Sequence, residues 1–511
     1  MKREHSSKFW LSLSIIVLML TIAYLGLIYF SYDLQRFSML FNADSLYLPT
    51  LLDNLLYGHG AWKDWTLPPA PYFFPDLPLY FIAYVITKDV YLAHFIFALL
   101  QGLLVLFFLY GINRLFFSRT QALLHSVLVL ALMYLSVLGH PTIHAIVSGH
   151  HFGAFLAILM GLYVFARWLD VDGRSHSLSI ILIILIGLTV ASDKLFIVQF
   201  VLPLILTITI LRLLTVTTNR VFLLTFVVAT SGLILGYLLH ALWVPNPTGF
   251  SPEFGFQYLA ANFPIIAKLF YKVISKHIVY GLIFMTFYGL LVYSLTRFLF
   301  SRFDQNKSFL FISLLLFLIC AVNVLVVAFS NLTINFRYFI PVLFIPLLLL
   351  PLLLIMMKPK HQILMYFPHT ALVITFLLMG SHFYEKLSNH QLHSSYYPKA
   401  IQCFDDFINS TKARHGVAQY WDAKRTALLS KNNVSIAAYT TDIYAYNWIS
   451  TTQWQKSRYD FVLIRNQKYK QYQLDLELLK QLSPKQISHE FKCGLFSIHY
   501  FPQGLYTEPG L

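Results

Sequence analysis

Carboxylates, aromatic rings and prolines are concentrated in residues 31–90, which follow the first long apolar segment of this 511-residue chain. Asp44 lies just before a helix-like run, Leu48 to Tyr57. An aspartate in such a place can accept a proton from a hydroxyl or amine group, or it can bind a divalent cation. It can also act only as the N-cap of the following helix. We expect Asp44 to be the catalytic residue.

The rest of this loop carries further acidic residues. Asp64 and Asp76 lie in a stretch rich in tryptophan and proline, from Trp62 to Tyr80. Because such a loop folds against its surroundings, either carboxylate can take a second role beside Asp44. Asp53 follows Asp44 by nine residues, which on a helix is the opposite face, so we do not expect these two to pair.

A cluster of histidines forms the second candidate group: His140, His144, His150 and His151. Histidine pairs can ligate a transition metal or contact a phosphate group. The spacing is not that of a closed structural zinc site, and the cluster contains no cysteine or carboxylate. Two interpretations stay open: interfacial histidines that cap helix ends, or substrate contacts from His150 and His151. In the second case, a divalent metal ion could bridge Asp44 and one of these two histidines.

Two cations adjoin apolar segments, where a charge is costly unless it is paired or functional. Lys194 follows Asp193 in a short polar interruption, and Arg337 and Tyr338 precede a late apolar run. Arginine binds phosphate through two parallel hydrogen bonds, so both cations are candidates for the phosphate of a lipid. The alternatives are a local Asp193–Lys194 ion pair and an interfacial arginine that extends its side chain toward water.

Composition identifies the class of protein. Hydrophobic residues make up 58% of the chain and charged residues only 12%, about half the charged fraction of a typical soluble protein. The net charge of +15 is divided among short clusters between apolar runs, as topology signals are. The chain is therefore predicted to be a polytopic α-helical membrane protein, with no nucleic-acid partner.

Eleven apolar runs are long enough to be read as membrane spans. They cover residues 9–30, 91–112, 121–139, 150–168, 177–192, 195–212, 221–243, 278–299, 308–329, 338–357 and 362–380. With a cytoplasmic N-terminus, every short inside loop then has at least two cations, as the positive-inside rule requires. Residues 77–87 are too short to cross, so we expect an outside helix that lies on the membrane or dips into it.

Polar composition begins after Gly380, and residues 381–511 are predicted to form a small outside α/β domain. Helices are expected near 398–412 and 418–430, with strands at 434–440, 460–465 and 495–501. Cys403 and Cys493 both fall in this domain. In an oxidising compartment they would form a disulfide; the alternative is two unpaired thiols.

Lys268, Lys272 and Lys276 recur every four residues on an amphipathic segment. This pattern is typical of a basic helix on an anionic membrane surface, where it could steer an anionic substrate. The sequence has no Walker loop, dinucleotide fingerprint or nucleophile elbow, which argues against ATP-driven transport by this chain alone.

Taken together, these features resemble the C-type glycosyltransferase (GT-C) superfamily, which includes protein O-mannosyltransferases and aminoarabinose–lipid A transferases. The resemblance covers most of residues 1–380 and rests on the order of five motifs: Asp44, Tyr72-Phe-Phe-Pro-Asp-Leu-Pro-Leu-Tyr80, Asn113-Arg-Leu-Phe-Phe, Lys194, and Arg337-Tyr-Phe-Ile-Pro. It implies a polyprenyl-phosphate sugar donor on the non-cytoplasmic face. It also implies that Asp44 is the acceptor-activating base or a metal ligand.

Two departures from the superfamily pattern concern the same loop. Asp44 is followed by Ser45 instead of a second acidic residue, and Pro-Asp-Leu-Pro-Leu stands where Tyr-Pro-Pro-Leu-Tyr is common. Within this resemblance, the expected substrate contacts are Asp76, Tyr80, Lys194, Arg337, Tyr338, His150 and His151.

The sequence thus predicts a glycosyltransferase that moves a sugar from polyprenyl phosphate to a hydroxyl or amine acceptor, with inversion. The acceptor would be a glycan, a lipid or a protein, and a divalent metal ion is a candidate cofactor. A bacterial inner membrane is favoured because no eukaryotic sorting signal is visible, with the N-terminus cytoplasmic and the C-terminal domain periplasmic.

The alternative function is a lipid or solute transporter or flippase with an outside recognition domain. A polysaccharide polymerase or ligase is a third possibility, although such proteins favour arginine-rich outer loops.

Overall fold

The structure is a computed structural model that describes residues 2–31, 40–135, 142–248, 251–276, 278–300, 307–356, 362–466, 473–482 and 489–506. His140, one of the four clustered histidines, lies outside these ranges. Two parts of the chain are distinct in composition and secondary structure. The described residues up to Asn389 are mostly helical, and a mixed sheet with flanking helices follows.

Apolar runs form the helices of the first part, because a helix satisfies its own backbone hydrogen bonds in lipid. In chain order these helices are α1 (Lys2–Phe30), α2 (Tyr47–Leu56), α3 (Asp76–Thr87), α4 (Val90–Arg114), α5 (Arg119–Leu135), α6 (Phe152–Asp170), α7 (His176–Ser192), α8 (Leu202–Leu213), α9 (Asn219–Trp243), α10 (Phe256–Lys276), α11 (Ile278–Phe300), α12 (Lys307–Ala328), α13 (Ile340–Met356) and α14 (Gln362–Asn389). A π-helical turn, Ile197–Val201, precedes α8, and a 3-10 turn, Phe336–Phe339, precedes α13.

The chain is a polytopic integral membrane protein. Each of the eleven predicted spans falls on one of these helices, namely α1, α4 to α9 and α11 to α14. Within the described ranges, five helical segments are long and apolar enough to cross a membrane: Lys8–Phe30, Val90–Arg114, Phe152–Asp170, Asn219–Trp243 and Leu310–Ala328. The other apolar helices are shorter, so the count of eleven crossings stays a prediction. Helix α3, which covers the ambiguous segment 77–87, has 12 residues.

Helices α7 and α9 pack closely because two glycines on α9 carry no side chain. A Cβ atom built on Gly232 would lie 2.7 Å from Ile186 Cβ, and one built on Gly236 would lie 2.7 Å from Val190 Cβ. The two glycines are four residues apart and therefore share one helix face. Small residues at this spacing allow the close approach on which helix association in membranes depends.

The C-terminal part is built on a five-stranded mixed sheet of strand order β4-β3-β6-β8-β7. Its strands are β3 (His415–Gln419), β4 (Ser435–Tyr439), β6 (Arg458–Arg465), β7 (His489–Cys493) and β8 (Phe496–Tyr506), and its helices are α15 (Lys399–Thr411), α16 (Tyr420–Leu429) and α17 (Leu476–Leu482). Strand β3 runs parallel to β4 and β6, whereas β8 is antiparallel to β6 and β7. A disulfide joins Cys403 on α15 to Cys493 on β7, with Cα atoms 5.5 Å apart.

A second, small sheet attaches this domain to the loop that contains Asp44. Strand β1 (Trp65–Leu67) of the loop pairs with β2 (Asn246–Pro247) and with β5 (Ser450–Thr451) of the C-terminal part. Asn54 bridges the same junction, since its amide nitrogen donates to Gln453 and its oxygen accepts from the Trp65 indole at 2.8 Å. Gln453 also donates to Asp64 at 3.2 Å. Asp64 therefore helps to hold the loop and the C-terminal domain together.

Candidate active site

Asp44 is held in a tight turn that follows residue 40. The side-chain oxygen of Asn42 accepts hydrogen bonds of 2.9 Å from the backbone N–H groups of both Asp44 and Ser45. The Ser45 hydroxyl group donates to the Leu40 carbonyl at 2.6 Å. Asparagine and serine side chains favour such local bonds to their own backbone. The turn leaves the Asp44 carboxylate free to point away from its own segment.

Two distant parts of the chain contact this carboxylate. Arg337, on the 3-10 turn before α13, places its Nη1 atom 3.4 Å from Asp44 Oδ2. Tyr420, at the start of α16, donates its hydroxyl hydrogen to Asp44 Oδ1 at 2.6 Å. The side chains of Arg337 and Asp44 are 27% and 21% exposed, so an incoming molecule can reach both. We call Asp44, Arg337, Tyr420 and Lys424 the Asp44 cluster.

The backbone of Arg337 is fixed by Asn335, whose side chain caps the turn by accepting from the Arg337 N–H group at 3.2 Å. The guanidinium carbon lies 5.3 Å from the centre of the Tyr338 ring, a cation–π contact. Burial by itself lowers the pKa of Arg337, but Tyr72, Tyr338 and Asp44 outweigh this effect and raise it. Among the described residues, its Nε atom has no hydrogen-bond partner. This atom is buried, so an anionic ligand would reach the guanidinium group through the exposed part of the side chain.

Lys424 lies one helical turn after Tyr420 and is only 1% exposed. Its amine nitrogen is 4.6 Å from the centre of the Tyr420 ring and makes no hydrogen bond within the described part of the chain. Burial lowers the pKa of Lys424 to about 7, although the Asp44 charge acts in the opposite direction. Burial and the Asp44 carboxylate both raise the pKa of Tyr420. Tyr420 therefore stays a neutral hydrogen-bond donor.

Helix α16 has a fixed orientation in its own domain. Asp422, in its first turn, accepts from the Arg465 guanidinium of β6, with Nε at 2.9 and 3.1 Å from the two carboxylate oxygens. A bidentate pair of this kind constrains both position and angle. Tyr420 and Lys424 are thus presented to Asp44 from a rigid support.

A second buried chain of polar contacts adjoins the Asp44 cluster. His151 Nδ1 lies 2.6 Å from Asp193 Oδ2, and His151 Nε2 lies 3.4 Å from the Tyr72 hydroxyl group. Because the Asp193 carboxylate can only accept, Nδ1 carries the hydrogen, and Nε2 of a neutral ring accepts from Tyr72. A Cβ atom on Gly149, at φ +73°, would lie 3.3 Å from the Asp44 carbonyl and 3.7 Å from the Tyr72 ring. Tyr72 therefore adjoins the Asp44 turn.

Asp76 lies near Asp193, whose charge acts on it, and is buried, being 2% exposed. A Cβ atom on Gly153, at the start of α6, would lie 2.0 Å from Asp76 Oδ2, so the carboxyl group occupies the space above this glycine. Burial and the nearby Asp193 charge raise the pKa of Asp76 to about 7. Asp76 therefore titrates near neutral pH, because a buried carboxyl group next to a second carboxylate resists ionisation.

Tyr338 contacts both groups, because its ring lies beside Arg337 and beside His151. The Tyr338 ring is 5.5 Å from the His151 ring, centre to centre. His150 packs its ring 5.4 Å from that of His144, and burial, with the Arg337 charge next in size, lowers its pKa to about 3. His150 is therefore a neutral ring beside Arg337, and its Nδ1 atom finds no partner among the described residues.

Two predicted substrate contacts lie elsewhere. Tyr80 is fully buried, and its hydroxyl group bonds His94 Nδ1 at 2.9 Å within an aromatic core. Lys194 is exposed, and its amine lies 5.7 Å from the ring of Tyr237 on α9, whereas the adjacent Asp193 turns inward to His151. At this turn the adjacent residues Asp193 and Lys194 therefore point in different directions, Asp193 into the protein and Lys194 toward the surface.

The metal ion expected at Asp44 and His150 does not fit the side chains as they stand. Across the described ranges, no three histidine, cysteine, aspartate or glutamate side chains converge on one point. One Asp44 oxygen accepts from Tyr420, and the other faces the Arg337 guanidinium. A cation already compensates the carboxylate, which is the role a divalent ion would have.

Four contributors to the site did not emerge from sequence reasoning as site residues. Tyr420 and Lys424 lie in the C-terminal domain, and Tyr72 and Asp193 were visible only as neighbours of other candidates. The signal for Lys424 was present, since a lysine four residues after a tyrosine shares its helix face. The sequence gives no indication that this face meets Asp44.

No protein-family model matches the chain, and no curated protein matches it. Among solved structures, the oligosaccharyltransferase of Archaeoglobus fulgidus, in a complex with Zn and sulfate, aligns with a TM-score of 0.45 and 14% sequence identity. The alignment covers 86% of this chain and 62% of that one, so this chain spans less than two thirds of the length of the matched protein.

Proposed function

We propose that this protein is a membrane glycosyltransferase of the GT-C type, which takes a sugar from a polyprenyl-phosphate donor. The observation that carries this proposal is the Asp44–Arg337 pair, a carboxylate and a guanidinium that are both partly exposed at one position. The guanidinium suits the phosphate of a phosphate-linked sugar, and the carboxylate suits a hydroxyl or amine acceptor that must lose a proton.

In the proposed reaction, Arg337 binds the donor phosphate through its partly exposed side chain, which is 27% exposed beside Asp44. Tyr72 and neutral His150 line the same region, and both can donate or accept hydrogen bonds to sugar or phosphate oxygens. Electrostatic stabilisation of the departing lipid phosphate is then the main contribution of Arg337.

Asp44 would activate the acceptor by taking its proton as the acceptor oxygen or nitrogen attacks the anomeric carbon. The new glycosidic bond forms on the face opposite to the phosphate, and the electron pair of the broken carbon–oxygen bond leaves with the lipid phosphate. A single displacement of this kind inverts the anomeric configuration. Tyr420 orients the carboxylate through its hydrogen bond of 2.6 Å.

The proposed location is a bacterial inner membrane, with the N-terminus cytoplasmic and the Asp44 cluster and the C-terminal domain on the periplasmic side. Cations in the short loops predicted to lie inside support this orientation. The Cys403–Cys493 disulfide supports an oxidising compartment for the domain. The acceptor would be a glycan, lipid or protein that is accessible from that side.

A transporter or flippase remains the second candidate because two buried amide side chains lie in predicted spans. Gln101 on α4 and Asn323 on α12 are fully buried, and within the described ranges neither has a hydrogen-bond partner. Polar groups without partners inside a membrane protein are costly and often mark a transport path. Sugar transfer by the purified protein distinguishes the two functions, since a transporter releases no polyprenyl phosphate.

The test uses the full-length protein in nanodiscs with a panel of polyprenyl-phosphate sugars and detects release of polyprenyl phosphate and labelling of an acceptor. Asp44→Asn should abolish turnover without loss of folding. Asp442→Asn, which changes an exposed aspartate of the C-terminal domain, is the matched control and should leave turnover unchanged. Full activity of Asp44→Asn would overturn the proposed role of Asp44.

A further inference from the structure

Helix α10 (Phe256–Lys276) is not among the five helices suited to crossing the membrane, and it is fixed beside one that is. Its buried face contains Asn262, Ile266 and Val273. The Asn262 amide nitrogen donates to the Ser330 carbonyl at 2.7 Å and to the Ala328 carbonyl, at the end of α12, at 3.2 Å. A buried amide that bonds the last carbonyl group of α12 and one two residues beyond it fixes α10 at the C-terminal end of α12.

The same helix also packs on the turn that carries Arg337. The rings of Phe270 on α10 and Phe339 on the 3-10 turn lie 5.3 Å apart, with an interplanar angle of 69°. Phe339 is fully buried and belongs to the same four-residue turn as Arg337. The position of α10 is therefore coupled to the position of Arg337.

The outer face of α10 has two stripes of different chemistry. The aromatic stripe consists of Phe256, Phe263 and Tyr271, which are 80%, 63% and 72% exposed. The lysine stripe consists of Lys268 and Lys272, which are also exposed. At 100° per residue, the lysine stripe lies roughly a third of a turn from the aromatic stripe.

This division matches a helix that lies in the plane of a membrane interface. Aromatic side chains enter the region between acyl chains and headgroups, and lysines stay at the level of the phosphates. In water, three exposed aromatic side chains along one side of a helix would be unexplained apolar surface. With lipid against the aromatic stripe, the lysine stripe faces anionic headgroups and contributes favourable charge interactions.

We propose that α10 is a capture site for the polyprenyl-phosphate lipid, whose chain lies along the aromatic stripe while its phosphate group is held by Lys268 and Lys272. From there the headgroup moves to Arg337, on the turn against which α10 packs. This inference rests on the proposed function and extends it, because it assigns the entry of the donor to a site outside the Asp44 cluster.

The first experiment measures binding without turnover. A photoreactive phenylalanine analogue replaces Phe263 in the full-length Asp44→Asn protein, in nanodiscs of phosphatidylcholine. The probes are polyprenyl phosphate, the neutral polyprenol and phosphatidylglycerol. We expect about 25-fold stronger crosslinking to polyprenyl phosphate than to neutral polyprenol, since two lysines contribute about five-fold each, and several-fold stronger crosslinking than to phosphatidylglycerol. With the analogue at Tyr444, an exposed position of the C-terminal domain, we expect no such preference. Equal labelling by polyprenyl phosphate and phosphatidylglycerol would mean a general lipid contact and would overturn the proposal.

The second experiment changes the lysine stripe. Each lysine near an anionic headgroup contributes about a five-fold factor to its capture, so Lys268→Gln with Lys272→Gln should reduce crosslinking about 25-fold. The Lys268→Arg, Lys272→Arg variant should retain capture. A control with Lys399→Gln and Lys492→Gln, two exposed lysines of the C-terminal domain, should be unchanged.

Turnover separates this proposal from the function on which it rests. In the active protein, the double glutamine variant should raise KM for the donor about 25-fold with kcat nearly unchanged, and high salt should reduce the difference because it screens the lysines. An unchanged KM would refute capture by α10. If the double glutamine variant loses donor capture while Asp44→Asn keeps full turnover, capture by α10 is supported and only the proposed role of Asp44 is refuted.

Discussion

Tyr420 and Asp44 are 376 positions apart in the chain, yet the tyrosine donates a 2.6 Å hydrogen bond to the aspartate carboxylate. The contact joins the first residue of α16 to a turn in the loop after α1. The C-terminal domain therefore contributes directly to the candidate active site and is more than an appended module.

Removal of the Tyr420 hydroxyl group should impair catalysis without unfolding the protein. A hydrogen bond to a charged group contributes about 1.5 to 3 kcal/mol, so Tyr420→Phe should lower kcat/KM by about 10- to 100-fold, because the carboxylate loses its orientation. Steady-state kinetics with a polyprenyl-phosphate sugar provides the measurement. Tyr444→Phe, at an exposed tyrosine of the same domain, is the control, and an equal loss in both variants would exclude a specific role for Tyr420.

Lys424 should reduce stability in a pH-dependent way. Its pKa is lowered from 10.5 to about 7 in the folded protein, so the unfolded chain takes up a proton on this lysine at higher pH than the folded chain does. Stability therefore falls as pH decreases from about 10 to about 7, and the loss is complete below that. Lys424→Met removes the charge and should raise the melting temperature, most strongly at pH 6 to 7 and little near pH 10.

The measurement is a thermal melt of wild type and Lys424→Met across this pH range. Lys399→Met, at an exposed lysine, should show no comparable gain. A melting-temperature difference that stays the same from pH 6 to pH 10 would contradict a buried lysine with a lowered pKa.

Asp76 should produce a second pH dependence. Burial and the Asp193 charge raise its pKa from 3.8 to about 7, so the folded protein keeps a proton that the unfolded chain has released. Stability therefore decreases as pH rises from about 4 to about 7 and is constant above that. Asp76→Asn should melt at a higher temperature than wild type above pH 7, with the difference lost near pH 4.

Asp193→Asn provides an independent check of this relationship. It removes the neighbouring charge, so the pKa of Asp76 should decrease and the acid form should be lost at lower pH. The infrared carboxylic-acid band follows this titration, and its assignment to Asp76 is verified by its absence in Asp76→Asn. An identical titration in wild type and Asp193→Asn would show that the two carboxyl groups do not interact.

The helical part of the fold was predictable because each apolar run is long and is hydrophobic around the whole circumference of the helix. Helix α3, too short to cross, was also placed correctly in sequence at 77–87, where the structure has Asp76–Thr87. The short strands β3 and β7 were missed, because five residues with mixed polarity carry little periodic signal.

The site was predictable only in part. Asp44 and Arg337 were both candidates, the first as an aspartate before a helix-like run and the second as a cation that adjoins an apolar run, and they lie together. The turn after α7 could not be resolved from sequence. Asp193 has an extended backbone, with φ −153°, and so it points inward while Lys194 stays exposed. No local pattern reveals which of two adjacent polar residues will face the site.

Close packing of α7 and α9 should make Gly236 intolerant of substitution. The added Cβ atom of Gly236→Ala would approach Val190 Cβ to 2.7 Å, and two helix backbones must separate to relieve this contact. Overpacking of this kind costs about 1 to 3 kcal/mol, so the melting temperature in detergent should fall. The matched control is Gly289→Ala on α11, where an added Cβ atom meets nothing within 4 Å. Gly289→Ala should be neutral or slightly stabilising, because alanine is the better helix former by about 1 kcal/mol. If both substitutions change the melting temperature equally, helix propensity, and not the contact between α7 and α9, determines the effect.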